Sequence, residues 1–144
     1  MPRKKLAIDP NLQLTESFRL YEFIEGSRRD ANPELVKMAY EDLEKRKAFL
    51  LPNAYRLAQE AQIIRNFYNK PLIITSGHRP EEWNYSKGRE YYSFHQDFMA
   101  FDFVIPGISN NQIISFINNT FKKGGRAKYA TFIHKDIDSS FRTW

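Results

Sequence analysis

Apolar residues recur along the chain at two spacings, one helical and one extended. Asn32-Pro33-Glu34 has the order of a helix start: a side chain able to cap, a proline with no N–H to leave unsatisfied, and an acid in the first turn. Leu35, Met38, Ala39 and Leu43 then form one stripe at helical spacing. Pro52-Asn53 punctuates the pattern, and a second helix is predicted over about 54–68, with Leu57, Ala61, Ile64 and Tyr68 on one face. Ser109 or Asn110 opens a further helix through about Phe121, with Ile113, Ile114 and Ile117 inside. Near the start, Thr15 or Ser17 can cap a short helix carrying Phe18, Tyr21, Phe23 and Ile24, and residues 26–30 read as a loop.

Strand signals lie between and after these helices. Leu72-Ile73-Ile74-Thr75 is a short apolar run rich in β-branched residues, and residues 99–105 form a second central run. Tyr129 to Ile133 reads as a third strand with His134 at its end, and the tail 141–144 as an edge strand. Lys122 to Arg126 reads as a basic turn bearing glycines. Between the first two strands, residues 76–97 are polar with scattered rings; a loop of that length in a compact domain is usually functional. Helices first, then strands and one helix, predict an α+β domain with a small antiparallel sheet. The expected organisation is one domain over 1–144, with 1–11 as an extended or flexible arm.

Composition narrows the class. The 144 residues suit a single domain, and hydrophobic content of 42% beside 27% charged residues excludes a disordered chain. With no cysteine there is no disulfide framework and no thiolate metal site. Any transition metal would fall to Asp, Glu and the 3 His residues. The net charge of +5 suits an anionic partner such as a nucleic acid, an anionic lipid or a cell-wall polymer. Tyr91, Tyr92, Lys122, Lys123, Arg126 and Lys128 could together bind single-stranded nucleic acid, but that reading leaves the acid and histidines described next unexplained. No apolar run is long enough to span a membrane, and Leu6-Ala7-Ile8 is too short for a secretory signal. Synthesis in the cytoplasm is therefore expected, with action on a cell wall only after release, for example as a phage product.

Asp102 interrupts a greasy run between Phe101 and Phe103. A buried carboxylate costs several kcal/mol unless it is paired or binds a metal. His95 precedes it by seven residues, and His134 ends another strand with Asp136 two residues on, on the same face. Two His and one carboxylate with an open fourth position make the ligand set of a catalytic zinc site. Spacing alone equally allows Asp102 to pair with an arginine and each His to be an ordinary residue.

The surrounding motifs add to this. Ser76-Gly77-His78-Arg79-Pro80 with Asn84 resembles the Ser-Gly-Tyr-Arg-Ser…Asn segment of the zinc D-Ala-D-Ala carboxypeptidase family of peptidoglycan peptidases, whose zinc site is shared with the Hedgehog signalling domain. Ser93-x-His95-x6-Asp102 is similar to that family's Ser-x-His-x-x-Gly-x-Ala-x-Asp, and Phe132-Ile133-His134-Lys135-Asp136 with Arg142-x-Trp144 to its Phe-Val-His-Val-Asp…Arg-x-Trp ending. Leu14-Thr15-x-x-Phe18-x-Leu20-x-Glu22-Phe23 resembles its opening. The resemblance implies a Zn2+ held by His95, Asp102 and His134, with Arg79 gripping a substrate carboxylate or the developing oxyanion. Ser93 becomes a hydrogen-bonding partner of a ligand or substrate, or a loop cap. The implied function is a zinc-dependent peptidase, expected as a monomer, cleaving peptidoglycan stem peptides.

The departures from the family pattern matter. Phe98 stands where the family has Gly, and so is expected to narrow the space beside the metal. His78 replaces Tyr, as a substituted loop residue or a substrate contact. Thr131 stands where the family commonly places an acidic general base, so Asp136, with Asp97 and Glu82 behind it, becomes the candidate proton acceptor. The alternative from another class is a zinc-stabilised cell-wall-binding or structural domain with little hydrolysis.

Overall fold

The computed structural model describes residues 8–26, 32–88 and 91–144. Its elements are α1 (Pro33–Lys45), α2 (Lys47–Tyr68), β1 (Ile73–Ser76), α3 (Glu81–Ser86), β2 (Ala100–Val104), α4 (Asn110–Thr120), β3 (Gly124–Lys128), β4 (Ile133–Asp136) and β5 (Phe141–Thr143). Short 3-10 turns cover Leu20–Phe23 and Phe94–Asp97. This is the expected α+β class. The strands form one sheet in the order β1-β2-β4-β3-β5. Its pairings are antiparallel except at the edge, where β5 runs parallel to β3 rather than completing an all-antiparallel sheet.

The helix starts follow the sequence chemistry. The Asn32 side chain accepts a hydrogen bond from the Glu34 N–H at 2.8 Å, and Ser109 forms a capping box with Gln112. α2 begins earlier than its sequence pattern suggests. Arg46 alone separates it from α1, and Pro52 lies inside it. Proline there forgoes a single bond to the Ala48 carbonyl, and burial of Leu50 and Ala54 on the same segment outweighs that loss.

Alternation divides β2 and β4 between two faces. Phe101, Phe103 and Ile133 enter the core, where the Phe23 ring meets Phe101 edge-on at 6.0 Å. Lys135, on that same face, reaches Glu60 of α2. The other face carries Ala100, Asp102, His134 and Asp136, with Asp102 opposite His134 and Ala100 opposite Asp136. The sheet thus has a face packed on helices and a face bearing ionisable groups.

Several elements differ from expectation. Residues 76–97 are not one long loop, since they contain α3 and the turn Phe94–Asp97. The stretch read as a basic turn holds β3, and the third strand lies at Ile133–Asp136 rather than 129–133. Two glycines hid β3. A Cβ on Gly125 would sit 2.3 Å from Asp136 Oδ2, so the strand needs glycine for close approach. Arg126 is buried, not part of a basic surface; it donates to the carbonyls of Ile117, Lys123 and Gly124 and so caps the end of α4. Most of the arm expected at 1–11 lies outside the described residues; Ile8 belongs to the core, and the Tyr21 N–H bonds Pro10 O at 2.9 Å. Among the described residues, no helix is long and apolar enough to cross a membrane.

Candidate metal centre

Three elements deliver the ionisable cluster. β2 supplies Asp102, β4 supplies His134, and the turn Phe94–Asp97 supplies His95. One ligand atom from each lies within 4.8 Å of the others, and all three residues are buried. The ring nitrogens are sorted. His95 Nδ1 donates to Gly77 O at 2.7 Å, which leaves Nε2 turned towards Asp102 Oδ1 at 3.4 Å with no hydrogen-bond partner. His134 Nδ1 lies 2.9 Å from Asp102 Oδ1, and its Nε2 lies 3.2 Å from Asp136 Oδ2. Each imidazole therefore has one nitrogen held from behind and one facing Asp102, the arrangement that fixes tautomer and ring orientation in metal-binding histidines.

The electrostatics favour a cation at Asp102 and His95 and oppose one at His134, whose proton an ion would have to displace. Burial opposes ionisation of Asp102, but the imidazoles of His95 and His134 outweigh it and hold the carboxyl well below its usual range. Burial pushes the His95 pKa down, against the pull of Asp102, so that ring favours its neutral, metal-binding form. For His134 burial is outweighed by its two carboxylates, and the pKa rises. A buried, unpartnered His95 Nε2 beside a carboxylate kept ionised fits a bound cation.

The glycine of Ser76-Gly77 has a steric reason. A Cβ there would lie 2.0 Å from the Phe23 carbonyl oxygen, and that same carbonyl accepts the His78 N–H at 2.8 Å. Arg79 follows, half-buried; its backbone N–H donates to His95 O at 2.9 Å, and its charge adds to the downward pressure on the His95 pKa. Ser93 caps the turn, its hydroxyl oxygen accepting the His95 N–H at 3.3 Å.

Phe98 does not narrow the centre. It is fully buried in the core at φ 57, a left-handed conformation that suits the glycine of the resembling motif. His78 is no loose loop residue either. It is buried, its Nδ1 donates to His95 O at 3.1 Å, and its Nε2 lies 2.8 Å from Asp42 Oδ2. Thr131 is exposed in the link between β3 and β4.

Asp136 is fully engaged. Oδ1 accepts the N–H groups of Gly125 at 2.6 Å and Asp138 at 3.2 Å; Oδ2 accepts from Arg142 at 2.8 Å and faces His134. Burial resists ionisation, but these partners hold its pKa at about 2. A carboxylate so held is a poor proton acceptor near neutral pH and a good support for His134.

Two further residues border the centre. The Arg142 guanidinium lies over the Phe94 ring at 4.7 Å, and the Trp144 ring lies 5.0 Å from His134 with its N–H on Tyr129 Oη. Arg142-x-Trp144 was visible as a motif, but nothing in the sequence tied Arg142 to Asp136. Of the rings expected on the loop, Tyr92 donates to Asp97 Oδ2, two residues from His95; Trp83 carries Lys87 over its face, and Tyr85 and Tyr91 are exposed.

A family model described as Peptidase M15 matches residues 33–136, a span that runs from the start of α1 through Arg79, Ser93, His95, Asp102, His134 and Asp136. No curated protein and no solved structure matches the chain.

Proposed function

The chain belongs to the peptidase M15 family, and from that premise we propose that it is a zinc-dependent peptidase acting on peptidoglycan stem peptides in the manner of a D-Ala-D-Ala carboxypeptidase. The observation behind this reading is the buried, unpartnered His95 Nε2 facing Asp102, with His134 Nδ1 on the same carboxylate. Two imidazoles and a carboxylate suit zinc more than calcium or magnesium, which prefer oxygen ligands. His95, Asp102 and His134 would hold the ion, which when bound polarises a scissile carbonyl and acidifies a water.

The chain's own residues do the rest. Gly77 O and Asp136 orient the two imidazoles from behind. The Arg79 guanidinium, a planar fork of donors, grips the terminal carboxylate of the peptide or the oxyanion. Net charge of +5 favours approach to an anionic wall.

A second reading is a zinc-stabilised wall-binding domain with little hydrolysis. It is favoured by Thr131 at the position of the usual acid and by the full engagement of Asp136. The two are separated by assaying purified protein for bound zinc and, by mass spectrometry, for release of D-Ala from a stem pentapeptide and for cleavage of cross-linked stems. Chelator-sensitive product supports the peptidase. Zinc at one per chain with no product supports the binding domain, and absence of zinc overturns both.

A further inference from the structure

We propose that His78, backed by Asp42, is a positioning residue for the metal centre: it fixes the carbonyl of His95 and so the placement of the His95 ring. The proposal rests on the reading of His95 as a zinc ligand.

His95 sits in a four-residue 3-10 turn. Such a turn has few internal bonds and poor hydrogen-bond geometry, so its rigidity must come from outside. The α1–α2 corner supplies it. Arg46 donates to Asp97 Oδ1 at 2.8 Å and to Gln96 O at 2.6 Å, and Asn53 donates to Asp97 O at 3.0 Å. These bonds hold the turn downstream of the ligand. The backbone of His95 itself is held by the Arg79 N–H on its carbonyl at 2.9 Å and by the Ser93 hydroxyl on its N–H, and the His78 side chain adds a second bond to that carbonyl at 3.1 Å.

His78 is itself locked. Its ring stacks on Phe98 at 5.0 Å and 10°, and its other nitrogen meets Asp42 Oδ2. Asp42 is in turn held by Arg46 through both oxygens, at 2.9 and 2.7 Å. A chain of bonds thus runs from α1 through Asp42 and His78 to the backbone of a ligand. Had His78 only filled space, an apolar ring would serve the stacking on Phe98 without burying two polar nitrogens. Ligand geometry tolerates about 0.5 Å of error, so loosening this support should register in metal affinity before it registers in the fold.

The test measures zinc affinity by competition with a chromophoric chelator, together with the Tm of the metal-free protein, for His78→Phe, Asp42→Asn and a core control, Ile117→Val. His78→Phe keeps the ring and loses both bonds; Asp42→Asn keeps the shape. Both should bind zinc about 10- to 100-fold more weakly, the effect typical of losing a partner behind a ligand. Ile117→Val should lower the metal-free Tm with the zinc Kd unchanged. If His78→Phe fails to fold, Asp42→Asn decides. Wild-type affinity in the folded variants overturns the proposal and leaves the zinc reading standing. A wild type that binds no zinc overturns both.

Discussion

Asp102 and His134 face each other across the β2–β4 ladder, and their side chains meet at 2.9 Å on the sheet face turned away from the helices. Antiparallel pairing alone brings them together, so two of the three candidate ligands are placed by the sheet and only His95 depends on a turn. His134→Ala and His95→Ala should each strip zinc, read by metal analysis after gel filtration. Removing metal from the wild type with a chelator should lower its Tm, because binding energy adds to folding energy. Full zinc occupancy in both single variants would defeat the ligand assignment.

Asp136 and Thr131 make a paired prediction. Asp136→Asn leaves Arg142 and the Gly125 N–H facing a neutral amide and weakens the hold on His134. Zinc affinity should fall about 10- to 100-fold together with turnover. Loss of turnover with zinc affinity intact would instead restore Asp136 as a proton acceptor. Thr131→Asp returns an acid to the position the resembling peptidases use, and should raise hydrolysis of stem peptides with no gain in zinc affinity.

Much of this was legible beforehand, for a physical reason. Asp102 and His134 stood out because charged residues inside apolar strands need partners, and strands declare themselves by local pattern. α1 and α4 were equally plain, since Asn32 and Ser109 cap them as their side chains dictate. What stayed hidden was tertiary. Gly124 and Gly125 lack strand propensity, and their role becomes visible only when Asp136 and Arg142 are seen filling the space a Cβ would take. Phe98 looked like an obstruction at the centre because sequence does not reveal direction. It turns into the core, where its burial, about 3–5 kcal/mol against truncation, exceeds the about 1–3 kcal/mol of its left-handed backbone. His78 and Arg126 read as loop and surface residues because partners that bury them, Asp42 and the Ile117 carbonyl of α4, are distant in sequence or in a different element.

Asp42 gives a pH prediction. Burial raises its pKa, but the bonds from His78 and Arg46 outweigh that and lower it from 3.8 to about 2. A carboxyl with a depressed folded-state pKa stabilises above its unfolded value, and that contribution is lost as pH falls through the folded one. The difference in unfolding free energy between wild type and Asp42→Asn should therefore shrink as pH falls from about 4 to about 2. Urea titrations at stepped pH measure it. A constant difference down to pH 2 would mean that Asp42 gains nothing from its partners.

The last prediction concerns the helix-facing side of β4. The Lys135 side chain is wholly buried, its Nζ donating to Glu60 Oε1 and to Asp136 O, both at 2.8 Å, with the Phe121 ring 4.7 Å away. Burial pushes the Lys135 pKa down and the Glu60 pKa up, so neither charge is comfortable without the other. Breaking such a pair costs more than replacing it, because a lone buried charge keeps its desolvation penalty and loses its attraction. Glu60→Gln should then cost about 3–5 kcal/mol, since Lys135 has no route to water. Lys135→Met removes the fully buried charge and keeps the volume, and Glu60, about one-fifth exposed at its side chain, can turn outward. It should cost less than Glu60→Gln. The double change Glu60→Leu with Lys135→Met should be close to neutral or stabilising. The zinc affinity of all three should match the wild type, because His134 points to the opposite face. Chemical denaturation gives the order. A milder effect of Glu60→Gln than of Lys135→Met would show that the pair is already uncharged in the folded protein, with the Glu60 proton and the neutral Lys135 amine sharing one hydrogen bond.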